Sequence, residues 1–129
     1  MSHAPSPRQD RVVGVTVPLF SLRSESSWGI GEIGDLPAFA SLVASAGISL
    51  IQVLPLAEIS GGGTSPYAAL SAFGIDPMFL SLAPVADLKH LHTREVLGGK
   101  GVAELDAARH SKTVDYKAVR ALKRKALHA

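Results

Sequence analysis

Two apolar runs, residues 12–19 (VVGVTVPL) and 49–56 (SLIQVLPL), set the frame of this chain. Each is apolar over nearly its whole length and includes β-branched residues, the pattern of a strand buried on both faces of a parallel sheet. Pro18 cannot donate to a strand ladder, so the first strand is expected to end there or to run along an edge. Between the runs, Leu36, Phe39, Ala40, Val43 and Ala46 share one helical face. Asp35 stands where an N-cap is wanted, Pro37 is tolerated in a first turn, and Gly47 supplies the stop. Strand, helix, strand reads as one right-handed βαβ unit. Two parallel strands cannot cover their own faces and edges. The sequence therefore reads as the beginning of a larger α/β protein.

The rest of the chain is organised around this unit. Residues 20–34 and 57–77 form long loops after the two strands, rich in glycine and serine. Residues 79–82 suit a short strand or extended segment, and residues 84–96 a short helix and turn. Gly98, Gly99 and Gly101 mark a break. From residue 115 to 127 a helical pattern returns, with Val119, Leu122 and Ala126 on one stripe and Lys/Arg around them. Residues 1–10 (MSHAPSPRQD) read as a disordered tail and not as a signal peptide. Residues 11–129 then hold the βαβ unit and the helical segments after it.

Composition narrows the function classes. At 47% hydrophobic and 19% charged residues, the chain is not intrinsically disordered. It holds no apolar run of the roughly 18 residues that a membrane span needs. With no cysteine it can build no disulfide, thiolate metal site or cysteine nucleophile, and a cytoplasmic protein fits. The net charge of +2 conceals an asymmetry: residues 1–100 carry 6 Lys/Arg against 8 Asp/Glu, and residues 101–129 carry 7 against 3. A basic end can mark a nucleic-acid site, but aromatic interleaving and a docking motif are missing. The expectation is a solvated helix face, with no nucleic-acid partner.

Gly29, Gly31 and Gly34 match G-x-G-x-x-G between a strand and a helix, and Glu58 stands where a ribose-binding acid would lie. This supports a nucleotide-binding alternative, although about ten residues separate the glycines from the strand end. The glycines around 61–63 lack the lysine of a phosphate loop. His90 and His92, two apart on a helix, would point away from each other, and no metal site is expected. The loop carboxylates Glu25, Glu32, Asp35, Glu58 and Asp76 show no spacing that singles out a catalytic pair. Trp28, Tyr67 and Phe73 fall in the loops after the two strands, where α/β folds bind ligands. Such rings can stack on sugars. For Trp28 and Phe73 the simpler expectation is that they pin their loops to the core.

Three stretches carry a family resemblance: GVTVPLFSLRSESSWGIGEIGDL at 14–36, AGISLIQVLPLAE at 46–58 and TSPYAALSAFGIDPMFLSL at 64–82. Val114, Asp115 and Tyr116, with Lys123 and Leu127, extend it. The chain resembles the N-terminal part of the amylomaltase (disproportionating enzyme) family of 4-α-glucanotransferases, glycoside hydrolase family 77. It departs at Asp76, where many members carry Asn, and at Ile51, often Trp. The resemblance implies the first part of a (β/α)8 barrel, incomplete in this chain, and retaining transfer of α-1,4-glucan segments. It implies α-1,4-glucans (maltooligosaccharides) as partners and neither a metal nor an organic cofactor, and leaves the oligomeric state open. The catalytic carboxylates are expected on later strands, so no catalytic residue is assigned here. Tyr67 matches the tyrosine that stacks near the −1 glucose, and Ser65 beside it is a second substrate-binding candidate. A non-catalytic glucan-binding fragment or pseudoenzyme is the alternative within the same resemblance.

Overall fold

The structure is a computed structural model that describes residues 11–59, 63–71, 73–82 and 93–128. Strand β1 (Gly14–Val17) pairs in parallel with β2 (Leu50–Val53), Gly14 opposite Leu50 and Val17 opposite Val53. Helix α1 (Leu36–Ser45) connects them. Both strands are shorter than the apolar runs that announce them. Pro18 ends β1, and a 3-10 turn at Leu19–Ser21 takes over. Beyond Val53 the chain leaves the pair at Leu54-Pro55.

Gly47 stops α1 with φ 80°, a left-handed value that costs glycine little. Asp35 occupies the N-cap position, but its side chain turns back. It accepts from the backbone N–H of Glu32 at 2.7 Å and stabilises the 3-10 turn Ile33–Asp35 instead of α1.

The helical content of the second half exceeds the expectation. Helix α2 (Thr93–His110) is two helical stretches interrupted at Gly98, whose φ of 68° and ψ of 172° are not helical. The expected break is thus present at Gly98, and Gly99 and Gly101 lie in the helical stretch after it. Gly101 has a packing reason to be small: a Cβ there would sit 2.8 Å from the Leu97 Cβ. Helix α3 (Tyr116–Leu127) matches the expectation and is capped by Asp115, whose side chain accepts from the Ala118 N–H at 3.0 Å. Residues 77–79 form a 3-10 turn, and Leu80 after it is extended. The expected disordered tail 1–10, most of the 84–96 helix and the His90/His92 pair lie outside the described residues.

Two apolar clusters make the core. Leu19, Ile30, Met78, Phe79 and Val119 form one. Trp28, Leu82, Leu97, Leu105, Leu122 and Ala126 form the other. Helix α3 enters both, through Val119 on one side and Leu122 and Ala126 on the other. The βαβ unit contributes little: α1 buries no residue, and each strand alternates between exposed and half-covered positions. Among the described residues no helix is long and apolar enough to cross a membrane.

Candidate functional site

The chain that leaves β2 folds back on itself. Two isolated antiparallel bridges, Ala57 with Ile75 and Ile59 with Ala69, draw the segment 57–76 into a loop. The Leu70 N–H donates to the Glu58 carbonyl and the Asp76 N–H to the Leu56 carbonyl, both at 2.8 Å. Ser65 and Tyr67 sit in a tight turn closed by the Ala68 N–H on the Ser65 carbonyl at 3.1 Å.

Tyr67 stands 75% exposed on the wall of an apolar groove of about 390 Å³ beyond the C-terminal end of β2. Leu56, Ala57, Pro66 and Phe73 line the same groove. Phe73 is 99% exposed and does not pin its loop to the core. The loop doubles back between Ala57 and Ile75, which leaves the Phe73 ring outside both clusters. A phenol and a phenyl ring on one apolar groove offer π-faces, with one hydroxyl able to hydrogen-bond. Trp28, by contrast, is buried and anchors the first loop.

Beneath the first loop lies a polar arrangement that the basic composition of α3 does not suggest. Lys123 is 1% exposed. Its Nζ donates to Glu32 Oε1 at 2.6 Å and to the Leu80 carbonyl, and lies 5.1 Å from the centre of the Trp28 ring. The same Glu32 oxygen accepts from the Trp28 N–H at 2.7 Å. Burial pushes the Lys123 ammonium below its ordinary pKa, and the Glu32 carboxylate works in the opposite sense. Nearby, Arg120 reaches Asp76 Oδ2 through Nε at 3.3 Å and Nη2 at 3.2 Å. The expectation of a uniformly solvated basic face is thus corrected. Lys123 is paired and buried, and Arg120 is paired and mostly covered.

One signal could have exposed Lys123. It lies four residues after Val119 and three before Ala126, so helical spacing already places it on the buried stripe. Glu32 is 91 positions away, and nothing local announces it.

The glycine motif is used for packing. A Cβ on Gly31 would lie 1.9 Å from the Leu19 carbonyl oxygen, and one on Gly29 2.8 Å from the Ala108 Cβ. Gly34 faces Ser81 Oγ, which accepts from its N–H at 2.7 Å. The Gly31 N–H is already held by the Phe20 carbonyl and the Trp28 N–H by Glu32. A pyrophosphate would find these donors taken and a buried carboxylate beside them. The nucleotide-binding alternative fails on this geometry. Glu58 faces a cleft shared with Asp76, Arg120 and Arg124 and is not paired with the glycine turn. The remaining loop carboxylates do not converge: Glu25 is exposed, Glu32 and Asp76 are tied to cations, and Asp35 holds the Glu32 N–H and Ser24 Oγ. Among the described residues no three His, Asp or Glu side chains gather as a metal site would require.

Comparison with known proteins gives this arrangement its context. The family profile described as 4-alpha-glucanotransferase matches residues 17–129. A 4-alpha-glucanotransferase of Chlamydia pneumoniae is 37% identical over 92 residues, which is 67% of this chain and 17% of that protein. The Haemophilus influenzae 4-alpha-glucanotransferase is 32% identical over 126 residues, or 91% of this chain and 18% of that protein. That of Mycobacterium tuberculosis is 34% identical over 94 residues, 65% of this chain and 13% of that protein. The chain thus spans about a sixth of the length of the curated relatives it matches. With a profile that covers nearly all of the described residues, the chain belongs to the 4-alpha-glucanotransferase family, glycoside hydrolase family 77.

Proposed function

We propose that this chain is the N-terminal part of a 4-α-glucanotransferase. In this reading β1, α1 and β2 are the first βαβ unit of a (β/α)8 barrel, and residues 20–34 and 57–77 are βα loops on its active face. Residues 11–129 then form a single unit, the βαβ unit followed by α2 and α3. The partner is an α-1,4-glucan, and Tyr67 stacks on a glucose ring with Ser65 beside it. The exposed Tyr67 ring on an apolar groove at a strand end carries this reading. Cysteine-free composition accords with action in the cytoplasm.

The retaining reaction needs two carboxyl groups. One attacks the anomeric carbon while the other, protonated, gives its proton to the departing glycosidic oxygen. An acceptor glucan hydroxyl then loses its proton to the second group and displaces the first. Neither group is assigned to these residues. The part proposed for this chain is to hold the donor sugar.

Calorimetric titration with maltoheptaose tests the binding role. Tyr67→Ala is expected to weaken binding at least about tenfold, the worth of one good aromatic contact. Equal heats from the two proteins would remove Tyr67 from the site. The 129-residue chain alone is expected to release no glucose from maltotriose; such a release would overturn the assignment of the carboxylates elsewhere. Glucan binding by a pseudoenzyme would give the same titration, but a full-length relative carrying this segment would then also fail to transfer.

A further inference from the structure

The loop that presents Tyr67 is held to residues 56–59 by backbone pairing but has little apolar anchorage. Of the described residues between 63 and 76, only Asp76 is buried. Tyr67, Leu70, Phe73 and Ile75 all point their apolar surface outward. Between those pairings, a segment without apolar anchors keeps conformational freedom unless further contacts restrain it.

Two points of the loop, Gly63 and Asp76, meet one side chain. Arg120 on α3 donates through Nη1 to the Gly63 carbonyl at 3.4 Å, two residues before Ser65. Its Nε and Nη2 donate to Asp76 Oδ2, where the loop ends. The planar guanidinium can address two acceptors at once, which an ammonium does less well. Helix α3 needs none of this for its own folding, since Val119, Leu122 and Ala126 are buried and Asp115 caps it.

Asp76 is suited to the partnership. Its Oδ1 accepts from the Met78 N–H at 3.0 Å while Oδ2 faces Arg120. An asparagine, common at this position in the family, keeps one of these roles and offers no charge for the other.

We propose that Arg120 is a positioning residue that ties the loop to α3 at Gly63 and Asp76, on either side of the turn carrying Ser65 and Tyr67, and so fixes that turn. The functional consequence rests on the glucan-binding reading; the clamp itself does not.

Amide hydrogen exchange on the 129-residue chain tests it directly. Arg120→Met is expected to speed exchange at Ala68 and Leu70 about tenfold and to leave Val119 in α3 within about twofold. Arg120→Lys, which keeps the charge and loses the fork, should fall between. Asp76→Asn, which keeps the Met78 contact, should loosen the same amides. Maltoheptaose binding should weaken about fivefold or more in Arg120→Met, in step with the loop amides. Unchanged loop amides in Arg120→Met would overturn the clamp. So would an equal loss of protection in α3, which would mark a general stabilising role. If the loop amides respond while the unsubstituted chain gives no heat with maltoheptaose, the clamp stands and the glucan reading falls.

Discussion

Helix α1 buries none of its residues and leaves Leu42 66% exposed, whereas α3, of similar length, buries Val119, Leu122, Lys123 and Ala126. The sequences do not foretell this. LPAFASLVAS is far more apolar than YKAVRALKRKAL. What separates them is the surroundings. Helix α3 meets the first loop, the 77–79 turn and α2, and each contributes to a cluster on its surface. The apolar stripe of α1 is only half covered at Leu36, Phe39, Ala40 and Val43, and Leu42 on its other side is exposed. Helical stability comes mostly from the face a helix buries, so the two helices depend on this chain to very different degrees.

The sharpest way to break the comparison is to remove the cation from α3. Lys123→Met leaves Glu32 buried without its partner and should cost about 3–5 kcal/mol in urea unfolding. Adding Glu32→Gln should recover much of it. A single-variant loss below about 1 kcal/mol would mean that the pair is solvated and that α3 is no more essential than α1.

Next in size is a matched pair of truncations. Leu122→Ala should cost about 2–5 kcal/mol through lost burial and a cavity, while Leu42→Ala should stay within about 0.5 kcal/mol. Similar losses at the two sites would erase the contrast.

The smallest effect is on pH. With the Lys123 pKa lowered by burial, unfolding takes up a proton between that lowered value and the ordinary lysine pKa of about 10.4. Stability should therefore rise with pH in this window. Tyr116, raised by burial, acts in the opposite sense above about pH 10. Urea midpoints of a Tyr116→Phe chain, followed upward toward pH 10, isolate the lysine. A midpoint that falls over this range would mean that Glu32 outweighs burial and holds the lysine as a cation.

The βαβ unit was legible because its signals are local: two apolar runs, a helical stripe and Gly47. So were the parallel pairing and the α3 stripe. The break at Gly98 was legible, but the helical stretch after it was not, because Gly99 and Gly101 outweigh Glu104, Leu105, Asp106, Ala107 and Ala108, all at ease in a helix. Lys123 was hidden by its neighbours. In KRK it looks like one more solvated charge, and its carboxylate partner stands in the first loop. Phe73 misled in the opposite direction. A ring is expected inside, and burial is decided by what the fold brings over it, which residue type alone does not report. The place of Tyr67 in the loop after the second strand was legible, but the contacts of Arg120 were not, since it meets Gly63 and Asp76 only after the chain has turned twice.

Three basic side chains of α3 reach three different backbone segments: Arg120 the Gly63 carbonyl, Lys123 that of Leu80, and Lys125 that of Leu97 just before the bend at Gly98, at 2.7 Å. A helix turns by about 100° per residue. One inserted residue ahead of Arg120 would swing all three side chains off their carbonyls together and turn the buried stripe toward water. Helix α3 is thus a key cut to a single register. Changes in chain length are admissible beside it, at the exposed Lys112 and Thr113, and not within it.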